Sequence, residues 1–380
     1  MLEALDDVPW AALSHAYGSA EDVPDLIRSI ASGDRERREA AWYELYGNLW
    51  HQGTVYEASS RAVPFFLEIA AQTDTPDLHE VIVYLACLAR GSSYLDVHRH
   101  LIYPSTDQNI PEVKTQIARE LEWVRNVREE ACKGLPLFNR LLDHHDPRVR
   151  SAACHMLTCF PEKSPTIAPH LRRLFERGDE DAGARAACVH AIGAIGWPAG
   201  TCPEQVRDAL DDAEPPAVRA VATIMAALFE RADASNELRA DVAELAADYT
   251  RFEGVLRLFP WDAGNPEEYL GPALVAIGAG DGKAIELLAD ALRRADPVMS
   301  QYYVDFLCGV AFQSEKASDA PAALTSHQLR ALTEIARSDA FWRWAAGSGR
   351  YLAAETLKGY DLPMTREALW TYLQRNVPSN

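Results

Sequence analysis

Apolar and polar positions along this chain follow a helical beat, clearest between Leu135 and Phe229. After Asp146-Pro147-Arg148-Val149-Arg150, apolar or small residues fall at Val149, Ala152, Ala153, Met156, Leu157 and Phe160. That spacing is the stripe of a helix buried along one side. The pattern returns at Ala184, Ala187, Cys188, Ala191, Ile192 and Ile195, and again at Val218, Val221, Ala222, Met225, Leu228 and Phe229. An arginine stands at the same phase each time: Arg150, Arg185 and Arg219. Asp146, Asp181 and Glu214 precede them, where an acidic residue can cap or favour a helix N-terminus.

A second marker keeps the same period. Each of these helices follows another that opens near a proline: Pro136, Pro169 and Pro203. Proline suits a first helical turn because its missing N–H would have no partner there. Two independent markers with one period predict a repeated helix pair.

Paired helices, a period in the thirties, a proline in the first helix and Asp-x-x-Val-Arg opening the second resemble HEAT repeats in the broad bacterial, HEAT-like sense. The resemblance covers roughly residues 134–230 and implies an all-α fold, an α-α superhelix or solenoid of antiparallel helix pairs, in which each pair packs on its neighbours. It says less about function, since HEAT-like proteins are mostly scaffolds and a few are enzymes.

In chain order, residues 1–20 read as an N-terminal cap with Trp10 and Leu13 as apolar cover. Residues 21–230 read as HEAT-like repeats with insertions at 47–57 and 92–111. Val23-Pro24 opens one first helix and Asp34 to Leu45 is its partner, with Arg38 in the arginine slot. Ala62-Val63-Pro64-Phe65-Phe66 opens the next, partnered by Leu78 to Leu88, and Pro111 to Cys132 reads as one long amphipathic helix. Residues 231–380 read as degenerate helical repeats, with helices at 236–248, 266–278, 282–294, 298–312, 326–338 and 363–374. A C-terminal cap around Phe341, Trp342, Trp344 and Trp370 closes the chain. Strand signals are nearly absent.

Charge narrows the function. The formal net charge is −19, and a protein that clamps a phosphate backbone needs a basic footprint. Arg35, Arg37 and Arg38 are interleaved with acids, and Arg293-Arg294 stands alone, so a nucleic-acid partner is not expected. That argues against the DNA glycosylases for alkylated bases found among HEAT-like proteins, which need a basic face with an aromatic cradle. An acidic surface suits a basic protein partner. No apolar run of about eighteen residues predicts a membrane span, and the acidic start of the chain lacks signal-peptide features, so a cytoplasmic protein is expected. The seven cysteines form no CxxC and read as reduced core residues.

Candidate chemistry concentrates in the insertions. Trp50, His51, Gln52, Tyr56 and Glu57 resemble the Trp-His-Gln-Gly segment of bacterial HEAT-like proteins that have no settled function. Their aromatics suit a protein interface, with the polar groups fixing orientation. The alternative is that Trp50 and Tyr56 tuck under the repeats while the polar residues satisfy loop backbone. The second insertion adds Tyr94, His98, His100 and Tyr103, with Asp107 nearby. Neither His98-x-His100 nor His144-His145 has the ligand set of a zinc site, so no metal or cofactor is expected. No nucleophile elbow, P-loop or HExxH motif occurs. The reading is a non-enzymatic scaffold that binds a protein along its concave face, for example in an immunity or antitoxin role. The competing reading is an enzyme or small-ligand site built by the two insertions, joining His51, Glu57 and His98 or His100. Arg150, Arg185 and Arg219 are expected to pair between neighbouring repeats rather than form an anion ladder. The oligomeric state is left open.

Overall fold

The computed structural model describes residues 2–96, 111–178, 180–196, 200–248, 254–261, 267–277, 282–312, 324–347 and 350–376. The chain forms two compact units, Met1–Pro198 with Phe259–Trp261, and Ala199–Leu258 with Asp262–Asn380. Both are built of helices, and the fold is an all-α stack of antiparallel helix pairs.

In the first unit, α1 (Val23–Ile30) pairs with α2 (Arg35–Asn48), and α3 (Glu57–Ala70) with α4 (Leu78–Ala89). The long α5 (Pro111–Cys132) lies on α3 and α4. Two regular pairs follow: α6 (Leu135–Leu141) with α7 (Pro147–Leu157), and α8 (Ser164–Phe175) with α9 (Ala182–Gly196). The second helices stack in order, α4 on α7 and α7 on α9. Every apolar position of the first two stripes is buried, from Val149 to Phe160 and from Ala184 to Ile195. Burial does not stop at the stripe, because Ser151, Cys154 and His155 on the other side of α7 are covered too. Helices α7 and α9 are therefore enclosed on both sides.

The second unit holds α10 (Glu204–Asp208), α11 (Pro216–Glu230), α12 (Asn236–Ala247), α13 (Glu267–Ala276), α14 (Gly282–Arg294), α15 (Met299–Phe312), α16 (Ser326–Arg337), α17 (Asp339–Ala346), α18 (Arg350–Gly359) and α19 (Arg366–Arg375). Two of these, α17 and α18, lie beyond the helices expected from the sequence. In α11, Leu228 and Phe229 are only half-buried, so the third stripe closes less completely than the first two.

Three local expectations need correction. The helix expected to open at Ala62–Phe66 begins at Glu57, where Ser59 Oγ accepts from the Tyr56 N–H (2.9 Å) and closes the first turn, and this leaves Pro64 inside α3. Likewise α8 starts at Ser164 with Pro165 in its first turn, so Pro169 is internal and forgoes one backbone bond. Asp146 and Asp181 cap α7 and α9 (Arg148 N–H to Asp146, 2.8 Å; Gly183 N–H to Asp181, 2.9 Å). The third helix, α11, enters through Pro215 and Pro216 with no side-chain cap, so Glu214 does not serve as one. Strand is nearly absent among the described residues, confined to two short hairpins. Strands β1 (Ser14–His15) and β2 (Gly18–Ser19) form the first, and β3 (Trp50–His51) and β4 (Thr54–Val55) the second.

Candidate functional site

The 47–57 insertion is smaller than expected: Gly47 and Asn48 finish α2, Glu57 begins α3, and a tight hairpin lies between. Gln52 (φ 48) and Gly53 (φ 89) supply its two-residue turn with both central residues left-handed, the geometry that matches strand twist. The start of the second insertion docks on this hairpin. Val55 N–H donates to the Ser92 carbonyl (3.1 Å), and Ser92 N–H donates to the Gly53 carbonyl (2.8 Å). This approach requires Gly91, where a Cβ would come within 2.3 Å of Val55 Cγ1. Glu120 on α5, itself buried, accepts from Ser93 Oγ (2.8 Å) and Leu95 N–H (2.9 Å) and anchors the same segment.

The first hairpin was invisible as a functional element and proves to be part of the same surface. Ala16 N–H donates to the Asn48 carbonyl (3.1 Å) at the end of α2. Tyr17 N–H donates to His15 Nδ1 (3.0 Å), so the ring proton sits on Nε2 and is given to Asp22 (3.0 Å). Asn48 Nδ2 donates to the other Asp22 oxygen (2.6 Å). Both ring nitrogens of His15 are thus engaged, and neither is open to act as a base. Ser14 Oγ donates to Glu57 (3.2 Å), so this hydroxyl is turned to a carboxylate rather than to the histidine. These bonds tie hairpin to helices.

Of the residues singled out in sequence, Trp50 is half-buried and stands edge-on to Tyr46 (5.9 Å, 89°), at the rim of a cluster with Trp42, Tyr84 and Phe66. Tyr56 lies 2.9 Å from Thr54 Oγ1, and burial pushes its hydroxyl above the usual tyrosine range. His51 meets Tyr17, with rings 5.5 Å apart edge-on and the hydroxyl 3.4 Å from Nδ1. Gln52 is exposed, and Tyr94 is partly exposed beside the hairpin. His98, His100, Tyr103 and Asp107 lie outside the described residues.

The exposed face belongs mainly to residues the sequence did not flag. Tyr17 is 70% exposed and Tyr43 81%. The Tyr17 ring lies against Gly47, one helical turn on from Tyr43 on α2. Tyr43, Tyr17 and His51 therefore form one strip.

Elsewhere in the chain, the repeat arginines act between or within helix pairs. Arg150 donates to the His144 (2.7 Å) and His145 (3.0 Å) carbonyls of its own turn and to Glu180, buried ahead of α9. Arg185 lies 4.2 Å over the Phe175 ring and donates to its carbonyl. Arg219 pairs with Asp212. Of the histidine pair, His144 accepts from Asp146 N–H and donates to the Thr73 carbonyl (3.2 Å). Among the described residues no group of three or more His, Cys, Asp or Glu side chains is placed to hold a metal ion, and the cysteines are free.

The inner side of α7 is closed by a later segment. Trp261 stacks on His155 (4.2 Å, 11°) and Phe259 stacks on Trp261 (4.6 Å, 10°). Burial, then Arg90 and His190, hold the His155 pKa well below the usual histidine range. His190 sits at the same phase one repeat on, and burial lowers it to about 4.

Helix pairs stacked by their second members define an α-helical repeat protein. Residues 134–227 match the family of HEAT repeats. HEAT repeats generally serve as scaffolds for protein interaction and are generally non-enzymatic. No curated protein matches the chain. An engineered protein of known crystal structure is 17% identical, aligned over 94% of this chain and 98% of that one, with a TM-score of 0.29. That likeness is too faint to bear on function. No described helix is long and apolar enough to cross a membrane.

Proposed function

We propose that the chain is a non-enzymatic scaffold that binds a basic protein partner through the hairpin surface of its first unit. The observation that carries this reading is the strip Tyr43–Tyr17–His51. Large aromatic side chains left in water on a braced support are costly unless a partner covers them. The α7 side roofed by Trp261 has no comparable opening, so the partner face proposed here is the hairpin surface rather than the second-helix face. The net charge of −19 favours a basic partner, although on α2 itself Glu36, Glu39 and Glu44 are matched by Arg35, Arg37 and Arg38.

Trp50 is half-buried against Tyr46 and the Tyr56 hydroxyl is engaged with Thr54, so the exposed Tyr17 and Tyr43 are the residues to replace. A tagged wild-type protein and a Tyr17→Ala/Tyr43→Ala variant of unchanged circular dichroism would be used to capture partners from the native lysate. The expected result is one basic protein held by the wild type and weakened by at least about thirtyfold in the variant. A partner that the variant retains equally well would refute the assignment of the surface. An acidic partner, or none at low salt, would refute the reading itself.

A further inference from the structure

In the second unit, three arginines from two helices converge on one carboxylate, Glu334, and a fourth arginine stands nearby. Arg293 ends α14, Arg330 and Arg337 lie on α16, and Arg343 lies on α17. Together with Glu334 and Asp339 they line a groove of about 550 Å³. Glu334 is 4% exposed at the base of this cluster. It accepts from Arg293 Nε (3.2 Å) and Arg337 Nη1 (3.4 Å), while Arg330 Nη1 stops at 3.6 Å. Arg293 also pairs with Asp290 (2.6 Å), and Arg343 donates only to the Asp339 backbone carbonyl (3.3 Å). The Asp339 carboxylate is turned to Arg366 (2.7 Å).

The local charge does not balance. One buried carboxylate faces Arg293, Arg330 and Arg337, whose side chains are 51%, 47% and 60% exposed. A guanidinium presents more N–H donors than the share of one carboxylate available to it here. Like charges held this close repel, so an arrangement with surplus donors facing a groove favours an added oxyanion. Arginine forks match phosphate oxygens in pairs.

We propose that this groove is a phosphate-binding site, with Glu334 as the post that spreads Arg293, Arg330 and Arg337 around the entering anion. The −19 net charge concealed it, because the arginines come together only through the packing of α14, α16 and α17. The site is independent of the hairpin surface of the first unit. The phosphate could belong to a free polyphosphate or to a phosphorylated protein segment, and the test separates these.

Calorimetric titration of the full chain at low salt would use inorganic pyrophosphate, a phosphoserine peptide and the same peptide unphosphorylated. Saturable pyrophosphate binding is expected, weakened at least about tenfold in Arg330→Gln/Arg337→Gln. Removing the negative post in Glu334→Gln should tighten it by about tenfold. Phosphoserine-dependent peptide binding would assign the site to a modified segment, and pyrophosphate binding alone would assign it to free polyphosphate. The double arginine variant replaces half-exposed side chains, so it keeps the test valid should Glu334→Gln unfold. The proposal is overturned by an absence of saturable binding in the wild type, or by equal binding in the arginine variant.

Discussion

Arg150 and Glu334 face the same electrostatic problem with opposite stoichiometry. In the first unit Arg150, 12% exposed, is bonded to Glu180, which is 2% exposed and whose other cation, Arg177 at 3.8 Å, has Asp143 of its own. In the second unit one buried carboxylate is shared by three half-exposed arginines. The first arrangement is neutral, closed and carried by the repeat period, so it joins consecutive helix pairs. The second carries surplus charge and opens on a groove, so it has capacity left for something else. Net charge does not distinguish them, because what matters is how many partners each buried group has within reach.

The sharpest way to break the first arrangement is Glu180→Gln, which strands the Arg150 charge. A loss of about 3–5 kcal/mol is expected in urea unfolding, largely insensitive to salt because the pair is buried. Replacing both residues with leucine should recover most of that loss. A single-variant loss below about 1 kcal/mol would show that the pair is not the joint described here.

Next in size is a pH effect in the first unit. Folding holds His155 and His190 neutral, so the unfolded chain binds more protons once pH falls below the ordinary histidine value of about 6.5. Their contribution is complete above that value and is lost as pH falls toward the folded value, about 4 for His190. Within that window each histidine should cost up to about 1.4 kcal/mol per pH unit. Unfolding at pH 7 and pH 5 would measure it, and Trp261→Ala should reduce the effect by letting water reach His155. Equal slopes in the wild type and in His155→Gln/His190→Gln would remove these histidines as the cause.

Effects at the shared carboxylate should be smaller. Glu334→Gln is expected to cost about 1 kcal/mol, reduced by added salt, since three exposed arginines lose their common partner. Arg330→Gln should change stability by less than about 0.5 kcal/mol. If Arg330→Gln proved as damaging as Glu180→Gln, the cluster would be structural and the comparison with Arg150 would collapse.

Much of the first unit was legible in the sequence. The stripes from Val149 to Phe160 and from Ala184 to Ile195, the caps Asp146 and Asp181, and the arginine phase all report local periodicity, which a helix imposes on every turn. Boundaries were less legible where a cap outweighed a proline, as Tyr56 with Ser59 did against Pro64. The candidate surface was half-visible. Trp50 and His51 marked the second hairpin, but Gln52-Gly53 is a weaker turn signal than Asn-Gly, and nothing near Tyr17 announced the first. Tyr43 joins the surface only because the Tyr17 ring comes to lie against Gly47, one helical turn away.

By itself the sequence determined that the chain is helical, that its helices come in pairs, and which residues of each pair meet its neighbours. Those properties follow from spacings of three, four and about thirty-five residues, all readable along one strand of chain. Only the tertiary structure decided that Tyr17 meets His51, that Trp261 returns to cover His155, and that Arg293, Arg330 and Arg337 surround Glu334. Such contacts join positions with no common period. They arise when packed helices and turns bring remote side chains within a few ångströms, where charge and exposed area are finally counted.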